Sequence, residues 1–381
     1  MRLREVFRYE FAYRIRSRST WIQALFLFLV IGWGTLATAD GHEAIHANAP
    51  QQIAQLTVLF GGMFGLLVSA SVFGDAAVRD VAAGMDPLLF TTRLRTGEFL
   101  GGRFLAALAV NAILVVAIPL GHIVATMTPL MQPGTLGPFR PAAYLQPLRL
   151  FLLPNLVLVG AILFSIGSLT RQVVPVFLAA IGIFIGYIAA ANYWHTLGNP
   201  TLSVLGDPLG INALAELYRF RPPAEQNARL IGVPSILILN RVIWLAVGGG
   251  VLAVLHRVFR FAHVEGGGSR RRRDAIAGAP VGREPAPAVP RTTGTFGRGS
   301  RARQALAVAH RSFGDALAGR PFRAVLVGAV GVVLLMGWNV TETVFDTATW
   351  PVTQLVAGTV LSHRIAILPW VVIILYAGEL V

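Results

Sequence analysis

Long apolar runs separated by short polar stretches set the rhythm of this chain. Crossing a hydrocarbon core of roughly 30 Å takes about 20 apolar residues. Eight segments qualify: 21–39, 53–74, 103–126, 148–169, 173–193, 240–260, 324–341 and 362–380. Only Thr170, Arg171 and Gln172 separate the fourth run from the fifth, which predicts a tight reversal at a membrane face. Backbone polar groups in hydrocarbon must be satisfied within their own helix. The pattern therefore predicts an all-α polytopic membrane protein of about eight transmembrane helices. Pro119, Pro154 and Pro175 fall inside these runs and are expected to kink them, since proline lacks an N–H and its ring meets the carbonyl four residues back. Gly248, Gly249 and Gly250 in the sixth run permit close helix approach or a bend.

The polar stretches divide the chain further. Residues 1–20 mix Phe7, Tyr9, Phe11, Tyr13 and Ile15 with Arg8, Arg14, Arg16 and Arg18, which predicts an interfacial helix with its arginines toward lipid phosphates. Residues 21–262 hold six spans, with a short loop at 78–98 and a longer segment at 194–239. The longer one carries Trp194, Tyr218 and an apolar run at 230–239, and is expected to form a partly embedded outer cap. Residues 263–320 change character to Gly-rich, then Arg270–Arg273, then Pro/Ala/Gly-rich, the composition of a flexible basic cytoplasmic linker. Gly32-Trp33 recurs as Gly337-Trp338, and Gly74-Asp75 as Gly378-Glu379, at offsets of 305 and 304. Near-equal offsets suggest that 321–381 holds the first two spans of a second, incomplete half.

Composition sharpens this picture by exclusion. All 32 Lys+Arg residues are arginine and there is no cysteine. A P-loop lysine, Schiff-base chemistry, disulfides, thiol catalysis and Cys-ligated metals are absent from this sequence. The net charge of +14 would suggest nucleic acid in a soluble chain, yet +12 of it lies in 1–20 and 263–323. With the N-terminus inside, twenty-five arginines fall in cytoplasmic segments and five in outer ones, while Arg241 and Arg364 sit at outer helix ends. That asymmetry is a topology signal: a multi-pass protein of a bacterial plasma (inner) membrane, N-terminus cytoplasmic. It implies anionic lipids at the basic segments and no nucleic acid. Residues 1–39 read as a retained span rather than a signal peptide, because the basic stretch is long and further spans follow.

The loop at 78–98 is unusual for its apolar content. It runs Val78-Arg79-Asp80, then Gly84-Met85-Asp86-Pro87-Leu88-Leu89-Phe90-Thr91-Thr92, then Glu98 and Gly101-Gly102-Arg103. Bulky apolar residues in a short polar loop call for burial against a partner or the bundle. The order of an Arg/acid pair, Gly, Leu-Leu, Thr-Thr, Glu and Gly-Gly-Arg resembles the coupling-helix loop of ABC-2-type transporter permeases. The stretches HANAP (46–50), GPFRPAAYLQP (137–147), DPLGINAL (207–214) and NRVIWL (240–245) are similar to a bacterial subgroup sometimes fused to a gluzincin aminopeptidase. The likeness covers nearly all of 1–262 and, more thinly, 305–381; it lacks a second coupling loop and a peptidase domain. The resemblance implies a permease subunit whose loop docks on a separate nucleotide-binding ATPase, which carries the ATP and Mg²⁺. It also implies a second permease half or a homodimer, moving a lipid, peptide or other amphiphile. By position, Arg79, Asp80, Gly84, Leu88, Leu89 and Glu98 inherit the ATPase-contact role, with charge-paired docking through Arg79, Asp80 and Glu98.

Two rival readings belong to other classes. His42-Glu43-Ala44-Ile45-His46 is a formal HExxH, in which His42 and His46 would bind zinc and Glu43 act as base. It lies in a short outer loop, and the position of a gluzincin's third ligand, nineteen residues on, is Gly65. The motif is therefore read as a decoy, with no metal and no enzyme activity expected of this chain. A membrane scaffold recruiting partners through its Arg-rich linker is the other rival. Asn111, His122, Asn155 and Tyr187 are polar groups within spans. Asn111, Asn155 and Tyr187 are candidates for a substrate path, against the commoner role of interhelical hydrogen bonding.

Overall fold

A computed structural model of the chain describes residues 2–39, 44–85, 94–131, 134–196 and 199–260, with a few positions between 303 and 348. The expected spans at 324–341 and 362–380, most of the linker, and His42, Glu43, Leu88 and Leu89 lie outside the described residues.

The protein is an all-α polytopic membrane protein. A short helix α1 (Arg2–Ile15) turns a corner into α2 (Arg18–Ala39), where Thr20 Oγ1 and Trp21 Nε1 donate to the Arg14 and Ile15 carbonyls. Then come α3 (Pro50–Ala82), α4 (Thr96–Thr126), α5 (Pro141–Thr170) and α6 (Val173–Thr196). Three short helices, α7 (Pro200–Leu205), α8 (Ile211–Tyr218) and α9 (Pro223–Ala228), lead into α10 (Ser235–Val258). Among the described residues, α2, α3, α4, α5 and α10 are long and apolar enough to cross a membrane, and Val173–Ile188 of α6 is a shorter apolar helix. Beyond these, Thr343–Val344 and Thr347–Ala348 form a two-residue antiparallel pair.

Two of the three prolines deform their helices, each in its own way. Pro119 meets the carbonyl of Val115, and α4 breaks there into Thr96–Leu114 and Ala117–Thr126. Pro154 faces Leu150 in the same manner, and α5 answers by widening into a π-helical turn at Leu148–Leu152, with Leu153 N–H bonding the Leu148 carbonyl. Pro175 is a correction to the expected kink. It sits in the first turn of α6, where its missing N–H has no intrahelical acceptor to lose.

At the centre, α3 is buried along its length against α5, α4 and α6. Where α3, α4 and α5 meet, Phe104 stacks on Phe73 at 5.5 Å and meets Phe164 edge-on at 5.7 Å. Small residues allow the helices to approach: a Cβ at Gly121 would fall 2.3 Å from the Phe28 carbonyl oxygen, and one at Gly160 would fall 2.3 Å from the Phe73 ring. Gly248 lies against the Leu158 backbone, which accounts for one of the three consecutive glycines by close approach. By contrast α2 and α10 turn apolar rows outward, including Ile22, Leu25, Leu29 and Trp33 on α2 and Ile238, Val242 and Val254 on α10. Such faces suit a hydrocarbon solvent and would be a liability in water.

Candidate functional site

Helical spacing places Glu10 and Arg14 on one face of α1, and Asp75 and Arg79 on one face of α3. Asp80 follows, and Arg103 lies two turns into α4. These six charges converge at the end of the bundle where α1 crosses the last turns of α3 and the first turns of α4. Glu10, only 2% exposed, is the hub. Arg79 Nη2 donates to both of its carboxylate oxygens, at 2.8 and 2.9 Å. Arg103 Nη2 lies 3.2 Å from Glu10 Oε1 and also donates to Asp80 Oδ2. Arg14 Nη1 pairs with Asp75 Oδ2 at 2.7 Å, and its Nε lies 3.9 Å from Glu10 Oε2.

Three carboxylates thus face three guanidiniums, and the cluster is neutral. That balance permits burial: a single ion taken out of water costs several kcal/mol, recovered only with paired charges and further hydrogen bonds. Those further bonds exist. Arg14 donates to the Val72 carbonyl at 3.1 Å and Arg103 to the Ala76 carbonyl at 3.2 Å. The rings of Tyr13 and Phe99 lie 4.1 and 4.5 Å from the Arg79 and Arg103 guanidinium carbons, within cation–π range. Burial pulls the Arg14 guanidinium below its ordinary pKa, opposed by Asp75 and Glu10. Close approach of α1 to α4 depends on Gly101 and Gly102. A Cβ at Gly102 would fall 2.7 Å from Val6 Cγ1 and 3.1 Å from the Leu3 carbonyl oxygen.

The residues assigned to ATPase contact fall into three groups. Arg79 and Asp80 are engaged within the chain, by Glu10 and Arg103. Glu98 closes a capping box at the start of α4, accepting the Arg95 N–H at 3.1 Å. Arg79 and Asp80 thus have charged partners within the chain, and Glu98 serves as a helix cap. Gly84 ends α3 with a left-handed φ of +65°, and Met85 N–H bonds back to the Asp80 carbonyl at 2.8 Å. That is a Schellman-type stop, and it accounts for this glycine by backbone geometry. Leu88 and Leu89 lie outside the described residues.

A second polar cluster ties the far end together. Asp207 accepts N–H bonds from Leu209, Gly210 and Ala213 at 2.8–3.0 Å. Arg241 reaches Asn155 Oδ1 at 3.0 Å, Asn240 Oδ1 at 2.7 Å and the Asp207 carbonyl at 3.3 Å. Asn155 donates to the Leu209 carbonyl at 2.8 Å. Burial pushes the Asp207 carboxyl above its ordinary pKa, against the pull of those N–H groups and Arg241. Tyr187 turns an enclosed hydroxyl toward this region, within electrostatic reach of Asp207 and Arg241. Asn111 is elsewhere: fully buried, it donates to Ser69 Oγ at 2.7 Å and joins α4 to α3. Two of the three candidate path residues, Asn111 and Asn155, therefore cross-link elements of the fold.

His46 packs its ring over Gly137 while its backbone N–H donates to Asn227 Oδ1 at 2.9 Å. Among the described residues no group of three or more His, Cys, Asp or Glu could hold a metal. No family model matches the chain, and no curated protein matches it.

Proposed function

We propose that this chain is the membrane-spanning permease subunit of an ABC transporter of the ABC-2 type, set in a bacterial inner membrane with its N-terminus cytoplasmic. ATP and Mg²⁺ would be handled by a separate nucleotide-binding ATPase, and a second permease half or a second copy would complete the pathway for an amphiphilic substrate. The supporting observation is the neutral cluster around Glu10, which binds α1 to both flanks of the 86–93 loop. A push on that loop reaches α3 through Asp75, Arg79 and Asp80, and reaches α4 through Arg103. Because the same cluster holds Glu10 and Arg14, α1 moves with them as one body. Charges matched internally stiffen the joint, which leaves the apolar residues of the loop as the surface for the partner.

The test is co-purification with a nucleotide-binding ATPase co-expressed with this chain. Changing Leu88 and Leu89 together to Asp is expected to abolish ATPase capture while leaving the permease folded. Undiminished capture would sink the docking assignment.

A further inference from the structure

A cavity of about 240 Å³ lies at the Asp207 end, between α7, α8 and the first turn of α10. Val204, Ala213 and Leu237 form its floor; all three are buried and belong to one apolar cluster. Pro200 and Thr201 are exposed at its mouth, while Leu217 and Ile236 flank it half-buried. Of the described residues that line it, only Glu216 is ionisable, and Arg219 meets that carboxylate at 3.4 Å. The wall is therefore apolar and without net charge, so an ionic ligand finds no counter-charge there. Hydrocarbon suits such a wall, because each methylene taken out of water adds to binding. An apolar cavity of roughly 150 Å³ takes benzene, which in proportion makes room here for about ten carbons.

The source of that hydrocarbon follows from α10, which is long and apolar enough to cross a membrane. Helical spacing puts Leu239, Ile243 and Val247 on the same face as Ile236. These three are exposed at 50%, 37% and 42%, so the face that α10 offers to the bilayer runs directly into the cavity. An alkyl chain lying along this stripe reaches the floor over apolar surface alone.

We propose that this cavity takes an acyl chain of a bilayer lipid, holding about ten of its carbons among Val204, Ala213, Leu217, Ile236 and Leu237. The site stands independently of the transporter reading, since it requires neither an ATPase nor a transported substrate.

The test uses the full chain in phosphatidylcholine liposomes that carry a trace of phosphatidylcholine with a diazirine on one acyl chain. Irradiation followed by peptide mass spectrometry locates the label. In the wild type, label is expected on 200–217 as well as on the outward row of α2. Leu217→Trp, which fills the cavity from α8, is expected to lower the label on 200–217 about ten-fold, the equivalent of excluding roughly two methylenes. Label on 22–33 of α2 should stay at the wild-type level. If Leu217→Trp does not fold, Thr201→Trp blocks the exposed mouth instead, with the same expectation. A wild type without label on 200–217, or label there that the folded variant leaves undiminished, overturns the site. In lipid-free micelles, a diazirine-bearing decanol that labels the same residues undiminished by added phosphatidylcholine overturns the bilayer lipid and assigns the cavity to a free single-chain amphiphile.

Discussion

Replacing Glu10 by Gln would leave three guanidiniums facing two carboxylates in a closed space. Breaking a buried pair by removing one partner costs on the order of 3–5 kcal/mol, and E10Q is expected to lose that much in denaturant titrations of the purified protein. Asp75 offers the contrast. Its side chain is 48% exposed, so solvent screens the pair, and D75N should cost less than ~1 kcal/mol. Gly84→Ala tests the helix stop: nothing crowds the position, so the expected loss of ~1 kcal/mol is that of the left-handed backbone alone. Of these residues, Arg79, Asp80 and Gly84 stand out in the sequence through the order of the loop, whereas Glu10 does not. Its signal is faint: an i,i+4 pair with Arg14 just before a span, where a lone carboxylate would be expensive. Asp207 and Arg241 lie in quoted stretches, but that they meet across 34 residues is a tertiary fact that no local spacing carries.

Helices were more legible than their limits, and the reason is physical. Apolar runs report where a helix meets hydrocarbon or core; they do not report where it ends. The run at 53–74 belongs to a helix that starts at Pro50 and continues to Ala82. Pro50 opens it because a proline there lacks only an N–H that would have no partner in the first turn. Asp75, Arg79 and Asp80 lie in its last turns, paired with Arg14, Glu10 and Arg103. The reversal at Thr170–Gln172 appears as expected, because a three-residue link leaves few alternatives. How α1 docks was not legible, since it depends on an absent side chain: a Cβ at Gly102 would meet the Val6 side chain and crowd the Leu3 carbonyl. Gly102→Val should therefore pry α1 from α4 without altering either helix. Trypsin cleavage after Arg8 and Arg16 should rise several-fold, with helix content by circular dichroism unchanged; equal cleavage rates would show that α1 is held by its charges alone.

At the scale of the molecule, the two polar clusters sit at opposite ends of an apolar bundle, one around Glu10 and one around Asp207. The native chain has no cysteine, so single cysteines report their side of the membrane without background. With a membrane-impermeant maleimide, Thr201→Cys is expected to label in intact cells and Ser19→Cys only after lysis; both positions are exposed. Labelling of both from one side would overturn the proposed orientation. Both clusters hold the long central helix's surroundings, and its length has a mechanical consequence. At 1.5 Å per residue, the 33 residues of α3 make a rod of about 50 Å, against a hydrocarbon thickness of roughly 30 Å. Such a rod is a lever with its fulcrum in the bilayer. A tilt of about 10° would carry each end roughly 4 Å, in opposite directions, so that a displacement applied beside Asp80 on one face of the membrane emerges, reversed, beside Pro50 on the other.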